Sequence, residues 1–239
     1  GCQATTLVEL TENPELTVEA TNSVYGDYEI SCKNAFDGWI DVTAEGGSGN
    51  YTYVWTNQDG ENIDINGVDE GDLIELVAGT YTVLVTDENG CTETIEVPMT
   101  EPEEGVEISE THSEFVGSEG ENVGVSCNGA NDGWIDITVT GGTSVYTYIW
   151  TNQDGENIDI NGVDEGDLIE LVAGTYTVLV TDENGCQATT FVELTENPEL
   201  TVEATNSVFV EEQGVSCNGA NDGWIDVTAE GGSGNYTYV

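Results

Sequence analysis

Positive charge is almost missing from this chain. A single Lys, Lys33, stands against 48 acidic residues, no Arg is present, and the formal net charge is −47 over 239 residues. A field of that sign repels nucleic acid and anionic lipid, because every phosphate contact needs a cation the chain lacks. Long apolar runs are missing too. No stretch approaches the roughly 20 apolar residues that a membrane span requires, so direct membrane insertion is not expected. His112 is the only histidine, and it falls in the variable segment "SETHSEF". No Ser/His/Asp or Cys/His arrangement therefore recurs along the chain. Charge stabilisation of an oxyanion or a phosphate has no source beyond Lys33. Pairs of carboxylates are so abundant that finding two at a glycosidase distance would carry no information. The expectation is a protein that is not an enzyme. A zinc site is not expected either, since no CxxC occurs and His112 stands alone.

What is present is repetition. The stretch Trp55–Cys91 returns letter for letter as Trp150–Cys186, 37 positions without a change. Residues 1–15 nearly copy Gly185–Glu199, and residues 217–239 reproduce the opening of a repeat. Neither a signal peptide nor an initiating Met is visible, and both ends read as cut from a longer array. Pro14, Pro102 and Pro198 punctuate it. They give the last strand of a preceding repeat at 1–14, full repeats at 15–102 and 103–198, and the opening of a further repeat at 199–239. Apolar residues make up 37% of the chain, which favours a folded array with its charge on solvated faces over a disordered acidic chain.

Six cysteines fall in register: Cys2, Cys32, Cys91, Cys127, Cys186 and Cys217. The gap is 59 from Cys32 to Cys91 and again from Cys127 to Cys186, whereas the intervening gaps vary. A constant gap inside a unit argues for one disulfide per unit, Cys32–Cys91 and Cys127–Cys186, with Cys2 and Cys217 pairing outside the sequence. The alternative is six reduced, buried thiols. Disulfides would imply an extracellular or periplasmic address.

Within each repeat the apolar residues alternate with period two, the mark of half-buried strands. Ile40, Val42 and Ala44 point one way, while Asp41, Thr43 and Glu45 point the other. "DENG" at Asp87–Gly90 supplies the turn of a hairpin. Helical spacing is never kept for three turns. Six or seven short strands per repeat predict an all-β fold of tandem immunoglobulin-like β-sandwich domains, one disulfide each, arranged as a rod or filament. Tyr81, after "LVAG", stands where such sandwiches carry a tyrosine that ties the sheet corner. A plain core tyrosine is the competing reading.

The segments "SCNGANDGWIDVTAEGGSGNYTYV" and "LVAGTYTVLVTDENGCTETIEV" resemble the SprB-type repeat of bacterial surface adhesins. The middle of the repeat, "NQDGENIDINGVDEGD", is longer and more acidic than that pattern. The resemblance implies a very large filament on the cell surface of gliding Bacteroidota, exported by type IX secretion and acting in adhesion and gliding motility. It also implies an extracellular, cell-surface location and neighbouring repeats as partners.

Two candidate sites stand out. Calcium takes six to eight oxygens from flexible loops, and one acidic segment offers Asp59, Asp64, Asn66, Asp69 and Asp72. Its copy offers Asp154, Asp159, Asn161, Asp164 and Asp167. The order of these residues matches no EF-hand loop, so Ca2+ binding stands beside a solvated acidic loop with Asx turns at Asn57–Gly60. Asp37 and Asp41 make a weaker cluster. Trp39 and Trp134, on an outward strand face beside carboxylates, are candidates for stacking on sugar rings of an extracellular polysaccharide, against the plainer reading of domain packing. Tyr51, Tyr53 and Trp55 share one strand face. "NYT" at Asn50 and Asn235 matches a glycosylation acceptor that the second repeat lacks. Two functions follow: a structural stalk whose adhesion lies elsewhere, or a chain of weak binding modules acting by avidity.

Overall fold

The structure, a computed structural model, describes residues 2–63, 71–158, 166–209 and 214–239. Contacts divide the chain into two compact units. The first is Gly1–Gly105 with Gly141–Val145 and Asp182–Cys186; the second is Val106–Thr140 with Tyr146–Thr181 and Gln187–Val239.

The first unit contains six strands: β1 (Thr17–Asn22), β2 (Gly38–Glu45), β3 (Thr52–Thr56), β4 (Asp72–Leu76), β5 (Gly79–Thr86) and β6 (Thr92–Met99). They form two antiparallel three-stranded sheets, in the orders β1-β2-β4 and β3-β5-β6. Side chains alternate across a pleated strand, and β2 follows that alternation: Ile40 and Val42 are buried while Trp39, Asp41 and Thr43 face out. One core joins Ile40, Val42, Leu73 and Leu76 of one sheet to Trp55, Tyr81, Val83, Val85, Val97 and Met99 of the other. Ile30 closes the end. Each such aliphatic side chain contributes roughly 1.5–3 kcal/mol when fully buried. This is the expected immunoglobulin-like all-β sandwich.

The second unit repeats the plan with β7 (Glu107–His112), β10 (Gly133–Thr140) and β12 (Leu168–Leu171) facing β11 (Thr147–Thr151), β13 (Gly174–Thr181) and β14 (Gln187–Leu194). A short hairpin, β8 (Phe115–Val116) with β9 (Asn122–Val123), is added between β7 and β10. A further antiparallel pair, β15 (Thr201–Asn206) with β16 (Ile225–Glu230), copies β1 and β2. Its Ile225 is 75% exposed where the matching Ile40 is 1% exposed. No facing sheet covers this pair among the described residues, and the contrast shows how much of the burial depends on the second sheet.

Tyrosine corners tie both sandwiches. The Tyr81 hydroxyl donates to the Val77 carbonyl at 3.0 Å, and Tyr176 to Val172 at 2.9 Å. Burial raises the pKa of both phenols above its ordinary value, more than the bond to the carbonyl lowers it. Tyr51, Tyr53 and Trp55 belong to the core and its margin, so the strand face they share looks inward. Gly38 follows Asp37 because a β-carbon there would collide with Ile30 Cδ1. Gly46 and Gly141 sit at positive φ against the carbonyls of Glu15 and Gly105, where no β-carbon fits.

The β5–β6 turn depends on Asp87. Its Oδ1 accepts from the amides of Asn89 and Cys91 at 3.0 and 2.8 Å, and its Oδ2 accepts from Ser48 at 2.8 Å. Asp182 accepts from Asn184, Cys186 and Thr143 in the same way. Burial alone would raise the Asp87 pKa, but the donors from Cys91, Ser48 and Asn89 outweigh it and hold the carboxyl below its usual value.

Tyr81→Phe is expected to lower the stability of its sandwich by about 1 kcal/mol, the net worth of one hydrogen bond. Tyr176→Phe should add a similar, independent loss. Urea unfolding of the full chain, followed by the fluorescence of Trp55 and Trp150, measures both. A carboxyl depressed on folding contributes stability above its unfolded pKa of about 3.9, and that contribution is lost as pH falls through the folded value. Stability should therefore fall more steeply below pH ~4 in the parent chain than in Asp87→Asn, as read from urea midpoints across pH; parallel profiles would refute the role given to Asp87.

Candidate functional site

The cysteine-bearing loop before β2 is built by short-range bonds. Ala35 donates to the Cys32 carbonyl at 3.0 Å, and the Ser31 amide donates to Asp37 Oδ1 at 3.2 Å. The same pair of bonds recurs at Ala130 with Ser126 and Asp132, and at Ala220 with Ser216 and Asp222. Donation from Ser126 and Ser216 holds Asp132 and Asp222 below the ordinary carboxylate range. Tyr25 covers the loop, its phenol pKa raised first by burial and then by the Asp37 charge. Glu101 receives the Lys33 ammonium at 2.7 Å and the Asn34 amide at 2.6 Å, and the Lys33 bond leads in lowering its pKa.

Sequence reasoning missed a buried serine in this region. Ser23 accepts from the Trp39 amide at 3.1 Å and donates to the Glu29 carbonyl. Ser113 holds Trp134 to Gly124, and Ser207 holds Trp224 to Gly214, in the same manner. The signal was available: around these serines the copies read "TNSVY", "THSEF" and "TNSVF", and Ser is the one residue after Thr that all three keep.

The disulfide pairing differs from the one read from spacing. Cys32 is bonded to Cys186, with Cα atoms 5.6 Å apart and a sequence separation of 154. Cys2, Cys91, Cys127 and Cys217 are exposed free thiols. Neither Cys32–Cys91 nor Cys127–Cys186 forms, and β6 shows why. That strand starts beside Cys91 and ends at Met99, next to Thr100, whose carbonyl accepts from Ile30 at 3.0 Å. Eight extended residues span about 26 Å, whereas bonded cysteines need Cα atoms within about 7 Å. β14 separates Cys186 from Cys127 in the same way, with Val125 bonded to the Thr195 carbonyl. The sandwich centre, which would house an inter-sheet disulfide, holds Val83 and Val85 instead. Inside the first unit Asn184 Nδ2 donates to the carbonyls of Tyr25 and Ser31 at 3.4 and 3.3 Å, seating the Cys186 turn against the Cys32 loop. Closing so long a loop stabilises by about 5 kcal/mol in the chain-entropy model.

Of the acidic segment, Asp64, Asn66, Asp69, Asp159, Asn161 and Asp164 lie outside the described residues. Asp59 and Asp154 sit in turns whose amides donate to Asn57 Oδ1 and Asn152 Oδ1 at 3.0 Å, the Asx turns expected there. Asp72 opens β4, and Asp167 directly precedes β12. Among the described residues no group of three or more His, Cys, Asp or Glu side chains is placed to hold a metal ion. Trp39 and Trp134 are each 41% exposed, on the outward faces of β2 and β10. Asp41 shares the Trp39 face; Asp37 is turned to the Ser31 amide instead. No helix among the described residues is long and apolar enough to cross a membrane.

Solved structures similar to this chain include three N-terminal domains of the outer capsid protein Hoc of bacteriophage RB49. That match has 18% identity and a TM-score of 0.40, over 91% of this chain and 70% of that one. Four N-terminal Ig domains of Dscam1 match at 18% identity and a TM-score of 0.28, over 73% of this chain; the chain spans 45% of their length. The mouse nectin-like molecule 4 ectodomain matches at 13% and 0.32, over 77% of this chain and 64% of that one. Likeness this loose says nothing of ligands. No curated protein matches the chain. The SprB repeat matches at residues 29–60, 123–155 and 213–239. Each segment begins just before or at a cysteine-bearing loop and runs through the strand that follows it, so the match to the SprB repeat recurs at three places along the chain.

Proposed function

We propose that this chain is a non-catalytic stretch of a large extracellular cell-surface adhesin, serving as stalk for surface attachment or gliding motility. One observation carries the reading. The polar side chains that recur in register are committed to holding backbone. Ser23, Ser113 and Ser207 bridge strand starts; Asp37, Asp132 and Asp222 close the cysteine loops; Asp87 and Asp182 build turns; Tyr81 and Tyr176 tie corners. Repetition that preserves fastenings serves a bead whose task is to hold its shape. The acidic outer faces keep such beads apart from one another. The SprB match supports the surface setting, and the boundaries 15–102 and 103–198 are the proposed beads.

A second reading rests on the equal exposure of Trp39 and Trp134 at matching positions. There each repeat would be a weak polysaccharide-binding module, with or without calcium, and repetition would multiply affinity.

Beads coated with the full chain and passed over a polysaccharide panel, with calcium and then with chelator, separate the two. The stalk reading expects no retention on any glycan. Retention abolished by Trp39→Ala with Trp134→Ala would replace it with the second reading, and retention lost only in chelator would place calcium in the binding.

A further inference from the structure

Five of the six cysteines fall into two kinds, and the observed bond joins one of each. Cys32, Cys127 and Cys217 are loop cysteines, each with its carbonyl accepting from an Ala three residues on. Cys91 and Cys186 are turn cysteines, each with its amide donating to an Asp four residues back. In the Cys32–Cys186 bond the loop cysteine belongs to the first repeat and the turn cysteine to the second.

The second unit carries the same seat. Gly234 belongs to the copy of the loop Gly141–Val145, which groups with the first unit, the unit that holds both Cys32 and Cys186. In the second unit a β-carbon on Gly234 would come within 3.0 Å of the Ser118 carbonyl, in the β8–β9 hairpin that precedes the Cys127 loop. The loop that accompanies a turn cysteine is therefore already at the Cys127 end.

We propose that Cys127 is a disulfide-forming site whose partner is the turn cysteine of the repeat that begins at 199, so that the array is stapled from each repeat to the next. The rule accounts for all five of these cysteines: it forms one bond, Cys32–Cys186, and leaves Cys91, Cys127 and Cys217 without partners, as observed. The chemistry is thiol–disulfide exchange with an oxidised dithiol or glutathione-type disulfide. One cysteine thiolate attacks the oxidant's S–S bond and expels a thiolate, and the second cysteine then displaces the other half. Two protein thiols lose two protons and two electrons, and the oxidant's disulfide is reduced to two thiols.

Val239 stands where Val54 stands in the first repeat, so the full chain can be continued in register by a second copy of residues 55–101. That restores one turn cysteine. After oxidation in a glutathione buffer and alkylation of free thiols, peptide mapping should find the new turn cysteine bonded to Cys127, with Cys2, Cys91 and Cys217 alkylated. In Cys127→Ser the new cysteine should become alkylatable, while Cys32–Cys186, assayed in the same digest, reports that the rest of the chain has folded. A bond from the new cysteine to Cys217 would overturn the proposal, as would an alkylated Cys127 in a chain whose Cys32–Cys186 bond is intact.

Discussion

Strict alternation of side chains along β2 and β5 is the constraint on which the remaining structure hangs. A three-stranded sheet this short has little stability alone, and it is held by the apolar face it presents to a second sheet. On β5, Tyr81, Val83 and Val85 lie on that face; on β2, Ile40 and Val42 meet them. With a net charge of −47, a slip of one residue would drive Asp41 and Glu45 into the core. The inner face of β15–β16, which no second sheet covers among the described residues, is exposed.

Around that core the acidic residues do two jobs. Most face solvent, but a recurring few turn inward to collect backbone amides that the strands leave unpaired. Carboxylates suit the task because one group accepts several donors, as Asp87 does with three. The fastenings cluster at turns and loop ends, where the ladder stops supplying partners.

Much of this was legible in the sequence. Period-two alternation gave the strands, "DENG" the hairpin, and the place of Tyr81 after "LVAG" the corner. The cysteine pairing was not legible, because a constant spacing of 59 arises whenever both cysteines hold fixed places in a repeat, whichever partners they take. Only the direction in which β6 runs decides between them, and that is a property of the fold. Ser23 was not singled out because its role comes from Trp39 and Glu29, which bond it from 16 and 6 residues further along the chain. The outward placement of Trp39 followed from its neighbour Ile40 facing in.

The Cys32–Cys186 bond has a further consequence, for protease resistance. It encloses the linker around Pro102 and the exposed turns at Asp59 and Asp154 in one covalent ring. A single cut anywhere in the peptide chain between the two cysteines leaves both fragments joined. Two cleavages on the same ring release the piece between them but leave the flanking parts joined, and separating those parts takes a cleavage together with a reductant.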